Sequence, residues 1–231
     1  MREQWVLDVG CGAGRFAEVA LRAGANVLAL DYSSAADACY SNLKRYDNLH
    51  VIQADIFALP FAPGTFPFVY SLGVLQHTPN VAEAFAALPP MVAKGGYICT
   101  DFYWKRLQTM LHMKYLLRPI TKRMKQEKLF SLLELAVPFM LPISQLLGRT
   151  PFVGRFLKRL IPVADYTGIF PLSNKQLMEW ALLDTFDWLA PQYDNPQTAN
   201  KIRSWFNKAD LCDVEIFHGG HLVGRGRKKP T

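Results

Sequence analysis

A short apolar run, Trp5-Val6-Leu7-Asp8-Val9, ends in three glycines spaced by single residues, Gly10, Gly12 and Gly14. The run reads as a buried parallel strand, and a helical pattern follows at once with Phe16, Val19, Ala20 and Ala23 on one face. Strand, tight glycine turn and helix together make the first half of a βαβ nucleotide-binding unit. Glycine is needed there because the backbone must turn sharply and let a ligand approach with no Cβ in the way.

The spacing narrows the ligand. A dinucleotide site wants G-x-G-x-x-G, which seats a pyrophosphate on the helix N-terminus. Here the pattern is Asp8-x-Gly10-x-Gly12-x-Gly14, with an acid at the end of the strand. In this the sequence resembles the class I methyltransferases that use S-adenosyl-L-methionine (SAM). An acid suits a ligand that carries an ammonium and a sulfonium, while glycine backbone and helix N-terminus can take its carboxylate. The resemblance implies SAM as cofactor and a Rossmann-like α/β fold, with a seven-stranded, mostly parallel sheet whose last strand is antiparallel. A glycine-rich turn alone also fits a plain packing turn, so the later stretches carry the argument.

Asn26 to Asp31 reads as a second strand ending in an acid, 17 residues after Gly14. Such an acid accepts hydrogen bonds from both ribose hydroxyls of an adenosine; an ordinary strand-end Asp capping the next helix through Ser33 or Ser34 also fits. A helix follows from about Ser34 to Arg45, then a third strand, Leu49 to Ala54. Next stand Asp55 and Ile56, which fall where the family has an acid on the adenine amino group and an apolar residue against the ring. An Asp before a nearby proline is equally a turn former. Phe66 to His77 resembles the F-D-x-V-x-S-x-x-V-L-x-H stretch of the branch allied to the ubiquinone-biosynthesis type, also called methyltransferase-11. Pro67 stands where that branch usually has Asp, which a strand start tolerates. Asn80 to Ala93 reads as a helix divided at Pro89-Pro90, and Lys94-Gly95-Gly96 as the turn into a fifth strand, Tyr97 to Phe102. The resemblance covers residues 5–103 and implies further cofactor contacts at Cys11, Tyr32, Ser71 and Leu72. It also leads us to expect a helical stretch before the first strand, so that a start at Met1-Arg2-Glu3-Gln4 reads as a truncated or minimal N-terminus.

Charge marks out a separate segment. Residues 104–165 hold twelve Lys/Arg against three Asp/Glu, a net of +9 in a chain whose total is +7, so the remainder is slightly acidic. About 65 residues intervene where the family core needs one helix. We therefore expect one methyltransferase domain over 1–231 with a basic helical insert, a lid, at about 104–170. From Leu107 to Lys128 the cations alternate with Leu107, Met110, Leu111, Met113, Leu116 and Ile120, the pattern of an amphipathic cationic helix broken near Pro119. Leu129 to Leu147 is strongly apolar, yet Glu134, Pro138 and Pro142 argue against a membrane span and for a lid over the active site, either packed on the core with its lysines solvated or also touching a membrane surface. Cys11, Cys39, Cys99 and Cys212 form no C-x-x-C pair, which suits a reducing cytoplasm and no zinc site.

After Pro171, Ser173 caps a helix from Asn174 to about Asp184, Asn195-Pro196 starts another, and Leu211 to Phe217 with His221 to Gly226 read as a hairpin turning at Gly219-Gly220. Methyl transfer needs alignment and, for some acceptors, a base beyond the carboxyl ends of strands four and five. His77 is the first candidate, with a purely structural bond in its loop as the other reading; Asp101, Tyr103 and Tyr166 follow. Asp187, Tyr193 and Asp194 in a C-terminal loop line a pocket or simply order the loop. His218-Gly219-Gly220-His221 reads as a turn without a metal. The expected activity is SAM-dependent transfer of a methyl group to a small or lipid-like acceptor. An RNA methyltransferase and a non-catalytic SAM-binding protein docking on membrane or a partner are the two alternatives.

Overall fold

The computed structural model describes residues 3–106 and 112–230; Leu107, Met110 and Leu111 of the expected basic helix lie outside the described residues. The elements are, in order, β1 (Trp5–Val9), α1 (Arg15–Arg22), β2 (Asn26–Asp31), α2 (Ala35–Leu43), β3 (Leu49–Gln53), β4 (Phe66–Ser71), α3 (Val81–Ala86), β5 (Val92–Phe102), α4 (Met113–Thr121), α5 (Gln126–Gly148), α6 (Gly154–Leu157), α7 (Asn174–Leu189), α8 (Ala199–Lys208), β6 (Leu211–Gly219) and β7 (His221–Lys228). They divide into two compact units, Met1–Lys105 with Tyr193–Thr231, and Arg106–Gln192.

The first unit is built on one seven-stranded sheet in the order β3-β2-β1-β4-β5-β7-β6. β7 pairs antiparallel with both β5 and β6, and the other pairs are parallel. Alternate residues of β1 serve opposite faces. Val6 packs with Val27 and Ala29 of β2, with Ala17, Ala20 and Leu21 of α1, and with Cys39 and Leu43 of α2. Leu7 and Val9 join Val69, Ile98, Phe85 of α3, and Ile202 and Phe206 of α8 on the other face. The Phe206 ring lies so close to β7 that a Cβ at Gly224 would sit 2.7 Å from it, which explains a glycine in mid-strand. Strand order reverses between β1 and β4. In such sheets ligands bind in the crevice at the carboxyl ends of the strands beside that reversal.

Several local expectations shift. Phe16, Val19, Ala20 and Ala23 do share one side of α1, but Val19 is 65% exposed and the buried side is Ala17, Ala20 and Leu21. The four line an open apolar groove of about 240 Å³ with Phe68, Tyr70, Leu72, Tyr97 and Cys99, where no helix covers β4 and β5. Pro67 coincides with a register shift between Phe66 and Phe68, so its missing donor falls at an irregularity. The helix after Asn80 is short, α3, because Pro89-Pro90 opens a single 3₁₀ turn and β5 starts already at Val92. α8 is capped by Thr198, whose Oγ1 accepts from Lys201 N, and not by Asn195.

The second unit is helical and longer than the 104–170 segment that composition marks, since α7 packs Leu177, Ala181 and Leu189 against Leu129, Leu133, Val137 and Leu141 of α5. α7 begins with a capping box, Ser173 and Gln176, and runs on to Leu189, which puts Asp187 on a helix and not in a loop. α5 runs unbroken through Pro138 and Pro142. The rings of both prolines stand on the exposed side, and packing on either side of them outweighs the two lost backbone bonds. The cationic helix is inverted: Lys114 and Arg118 of α4 are buried while Leu116 and Ile120 are exposed. The Arg118 guanidinium donates to the carbonyls of Trp188 and Pro191, each at 2.8 Å, and Thr121 Oγ1 donates to Leu189 O at 2.9 Å. Arg118 and Thr121 thus satisfy the carboxyl end of α7, where helix carbonyls lack partners and the dipole favours the guanidinium's positive charge.

Candidate active site

The glycine turn opens directly off β1. Gly10, Gly12 and Gly14 have φ of 84°, 52° and 95°, left-handed values that only glycine adopts without penalty. Gly10 N and Cys11 N both donate to Leu30 O, at 2.6 and 2.9 Å, tying the turn to β2. A Cβ on Gly10 would lie 2.3 Å from Val74 Cγ2, and one on Gly14 would lie 2.5 Å from Leu43 Cδ1. At Gly12 a Cβ would meet nothing within 4 Å. Two glycines are thus demanded by neighbours, and the third faces open space. The Cys11 side chain turns into the core, leaving its backbone at the turn.

Asp31 holds this cradle. Its Oδ2 accepts from Gly12 N at 2.9 Å, and Oδ1 accepts from Ser33 N at 2.9 Å and Ser33 Oγ at 2.8 Å. A carboxylate offers about four lone-pair positions, so three are used; rotation of the Ser33 hydroxyl frees a second for a diol. The bonds from Gly12 and Ser33 make Asp31 an organiser of the turn, and they leave it an acceptor position open to a hydroxyl. Tyr32 beside it is exposed and gives its carbonyl to Gln53 Nε2 at 2.9 Å. Asp55 caps a single 3₁₀ turn through Phe57 N at 2.9 Å, and Ile56 is buried in the larger core.

Buried polar groups without partners collect at the strand ends. Asp8 and Tyr70 are register partners on β1 and β4, and Ser71 and Thr100 on β4 and β5. Asp8 Oδ2, Tyr70 Oη, Ser71 Oγ and Thr100 Oγ1 are all buried and make no hydrogen bond among the described residues. Such groups are costly unless a ligand or solvent satisfies them. Leu72 next to them lines the apolar groove. Asp8 is only 2% exposed, and burial pushes its carboxyl from 3.8 up to about 7. The Tyr70 hydroxyl opposes that rise from nearby, without a hydrogen bond of ordinary geometry, and the Asp31 charge adds to it.

The folded protein thus holds the Asp8 proton more tightly than the unfolded chain, so this group's contribution to stability is complete below about pH 4 and lost as the pH rises to about 7. A cationic ligand prefers the ionised form, so SAM affinity should rise as the pH passes 7. Calorimetry between pH 6 and 8 checks this: Asp8→Asn should bind weakly and flatten the profile.

On the far side of the reversal, Asp101 at the end of β5 accepts from Gly73 N at 2.5 Å. Burial raises its carboxyl, and the Gly73 bond, His221, Arg15 and His77 oppose the rise. His77 sits on a 3₁₀ turn after β4, with Nδ1 3.0 Å from Tyr193 O. A carbonyl only accepts, so Nδ1 carries the hydrogen and Nε2 is left as the basic nitrogen. Its ring meets Tyr103 edge-on at 5.3 Å, and Tyr103 in turn lies 5.3 Å from His221. His218 packs on Trp104 instead, and no group of three His, Cys, Asp or Glu suited to a metal occurs among the described residues. Asn195 binds the same loop, N to Gln76 O at 2.9 Å and Nδ2 to Thr78 O at 3.0 Å. Tyr166 belongs to the second unit, where its hydroxyl bonds Asp184. Tyr70 and Thr100 escape a motif reading; the available signal was a polar residue near the end of an apolar strand.

Sheet order, antiparallel β7, the acid-ended β1 and the open glycine cradle define the fold of the class I SAM methyltransferases. Residues 7–100 match the family described as "Methyltransferase domain". The chain is 35% identical over 103 residues to a ubiquinone biosynthesis O-methyltransferase of Ralstonia nicotianae, covering 40% of each chain. It is 31% identical over 107 residues to a sterol 24-C-methyltransferase of Pneumocystis carinii, covering 44% of this chain and 28% of that one. Across its whole length the fold resembles magnesium protoporphyrin IX methyltransferase from Synechocystis with bound SAH, at a TM-score of 0.54 and 14% identity over 99% of this chain and 75% of that one. The matched region spans 40% or less of the length of these curated relatives.

Proposed function

We propose that the protein transfers a methyl group from SAM to a small or lipid-like acceptor. The observation that carries this is the open space over Gly12, set between the buried Asp8 and the cradle acid Asp31 where strand order reverses. Backbone N–H groups of the glycine turn and the start of α1 suit the ligand's carboxylate, and Asp8 its ammonium. Asp31 suits the ribose diol and Asp55 the adenine amino group, with Cys11, Tyr32, Ile56, Ser71 and Leu72 around them. When bound, SAM supplies a methyl carbon made electrophilic by its sulfonium. The chain then has to align the acceptor and take its proton, and Nε2 of His77, whose ring is held through Nδ1 by Tyr193 O, is the base we assign. Relatives named for ubiquinone biosynthesis and for sterols favour an amphiphilic acceptor, and the basic insert favours peripheral contact with a membrane over nucleic acid.

One pair of variants separates binding from chemistry. Asp31→Ala should weaken SAM binding by about 1–3 kcal/mol, the loss of charge-assisted bonds to the ribose. His77→Gln should keep SAM affinity and slow transfer of labelled methyl to phenolic and sterol lipids by about 10²–10⁴-fold. A protein that binds NAD and not SAM sinks the reading; SAM binding with no transfer to any acceptor leaves the non-catalytic alternative.

A further inference from the structure

α5 carries two apolar stripes, and only one is used inside its unit. Leu129, Leu133, Val137 and Leu141 are buried against α7 and Val163. Ser144 on the same side donates to Asp165 Oδ2 at 2.9 Å, and Lys158 Nζ pairs with that oxygen at 2.7 Å. The second stripe, Leu132, Leu135, Phe139, Ile143 and Leu146, lies about 140° further round the helix. All five are exposed, Leu135 at 72% and Phe139 at 74%. Exposed apolar residues continue beyond the helix at Val153 and Phe156, and at Phe152, whose φ of 61° holds the ring wholly in solvent. Left-handed backbone is unusual for a bulky residue.

Charge accompanies the outer stripe. Lys128 falls on it, Lys122, Arg123 and Lys125 precede it, Arg149 follows it, and all are exposed. The helix's acids, Glu127 and Glu134, lie more than about 100° away from the centre of that stripe. Residues 106–192 hold twelve Lys/Arg against six Asp/Glu, a net of +6.

We propose that this face of α5 docks on an anionic lipid bilayer, with the outer stripe among the upper acyl chains and the lysines and arginines at the level of the phosphates. It deepens the reading of a lipid-like acceptor and rests on it for its purpose only. The helix is long and apolar enough to cross a membrane. Spanning would strip Leu129, Leu133, Val137 and Leu141 from α7 and bury Glu134, whereas lying in the interface keeps the inner stripe packed. A second copy is disfavoured as occupant, since it would bring +6 against +6.

The test uses the full chain and vesicles of phosphatidylcholine with increasing phosphatidylglycerol, read by co-sedimentation. Binding should rise with the anionic lipid, fall with salt, and resist neither high salt nor alkaline extraction. Leu135→Glu with Phe139→Glu should weaken it at least about tenfold, and Lys125→Glu with Lys128→Glu by about fivefold or more per residue. Both pairs are exposed, so melting temperature and SAM affinity should hold, which keeps this test separate from that of the methyl transfer. No binding at low salt, binding indifferent to the stripe, or retention through alkaline extraction overturns the proposal. Light scattering that shows a dimer dissolved by the stripe variants would assign the face to a second copy instead.

Discussion

Gly12→Ala should leave the protein folded and abolish SAM binding, whereas Gly10→Ala in the same turn should fail by unfolding. At Gly12 the added methyl meets no protein atom within 4 Å, so the cost to the fold is that of one left-handed alanine, about 1–2 kcal/mol. On the proposed reading the methyl fills space that the cofactor takes, and calorimetry should then show affinity reduced at least about a hundredfold, roughly 2.7 kcal/mol. At Gly10 the same methyl arrives 2.3 Å from Val74 Cγ2 with φ at 84°. Strain and overpacking together should cost about 2–4 kcal/mol in a thermal or urea melt. Equal effects of the two substitutions on melting would contradict the division of labour within the turn.

Arg118→Met should destabilise the helical unit by about 2–4 kcal/mol, since two charge-assisted bonds vanish and the carbonyls of Trp188 and Pro191 lose that donor in a site where Arg118 is only 7% exposed. Native-state hydrogen exchange should report the loss at the carboxyl end of α7 and leave the amides of β1 and β2 protected as before. Arg118→Lys should not rescue it, because one ammonium cannot reproduce the planar fork that reaches both carbonyls. Exchange in α7 unchanged by Arg118→Met would remove the capping role.

The two halves of the chain differ in how far they can be read from sequence, and those residues show why. β1 to β5 announce themselves because each apolar run closes on or near a polar residue: Asp8, Asp31, Asp55 just after β3, Ser71 and Asp101. Their neighbours in space are close in sequence or come at intervals set by one βαβ repeat. Arg118 instead answers to carbonyls 70 and 73 residues away, so a helical wheel of α4 assigns it to solvent when it belongs inside. The same holds for Thr185, whose Oγ1 accepts from Ala164 N at 2.9 Å and helps carry α7 past Asp184. Pro138 and Pro142 read as breaks because the partners that override them, Leu177 and Ala181, are invisible to local pattern. At the site, the glycines and Asp31 were legible as motif; the orphaned Tyr70 and Thr100 were not, since one hydroxyl at a strand end has no spacing to betray it.

The chain leaves the sheet unit and re-enters it at one doorway. Lys105 N donates to Gln197 O at 2.9 Å and Gln197 N to Tyr103 O at 2.8 Å, and Trp104 bridges Gln197 in parallel. Outgoing and returning backbones therefore run side by side, a single strand spacing apart. Whatever is threaded between them closes on the same stitch, and because the cost grows only with the logarithm of length, eighty-odd residues cost only about 2–3 kcal/mol more than a handful. The sheet unit is thereby closed by its own backbone bonds at the point where the chain leaves it. Such a cassette can be lengthened, recharged or exchanged while the glycine turn, Asp8 and Asp31 stay where they are.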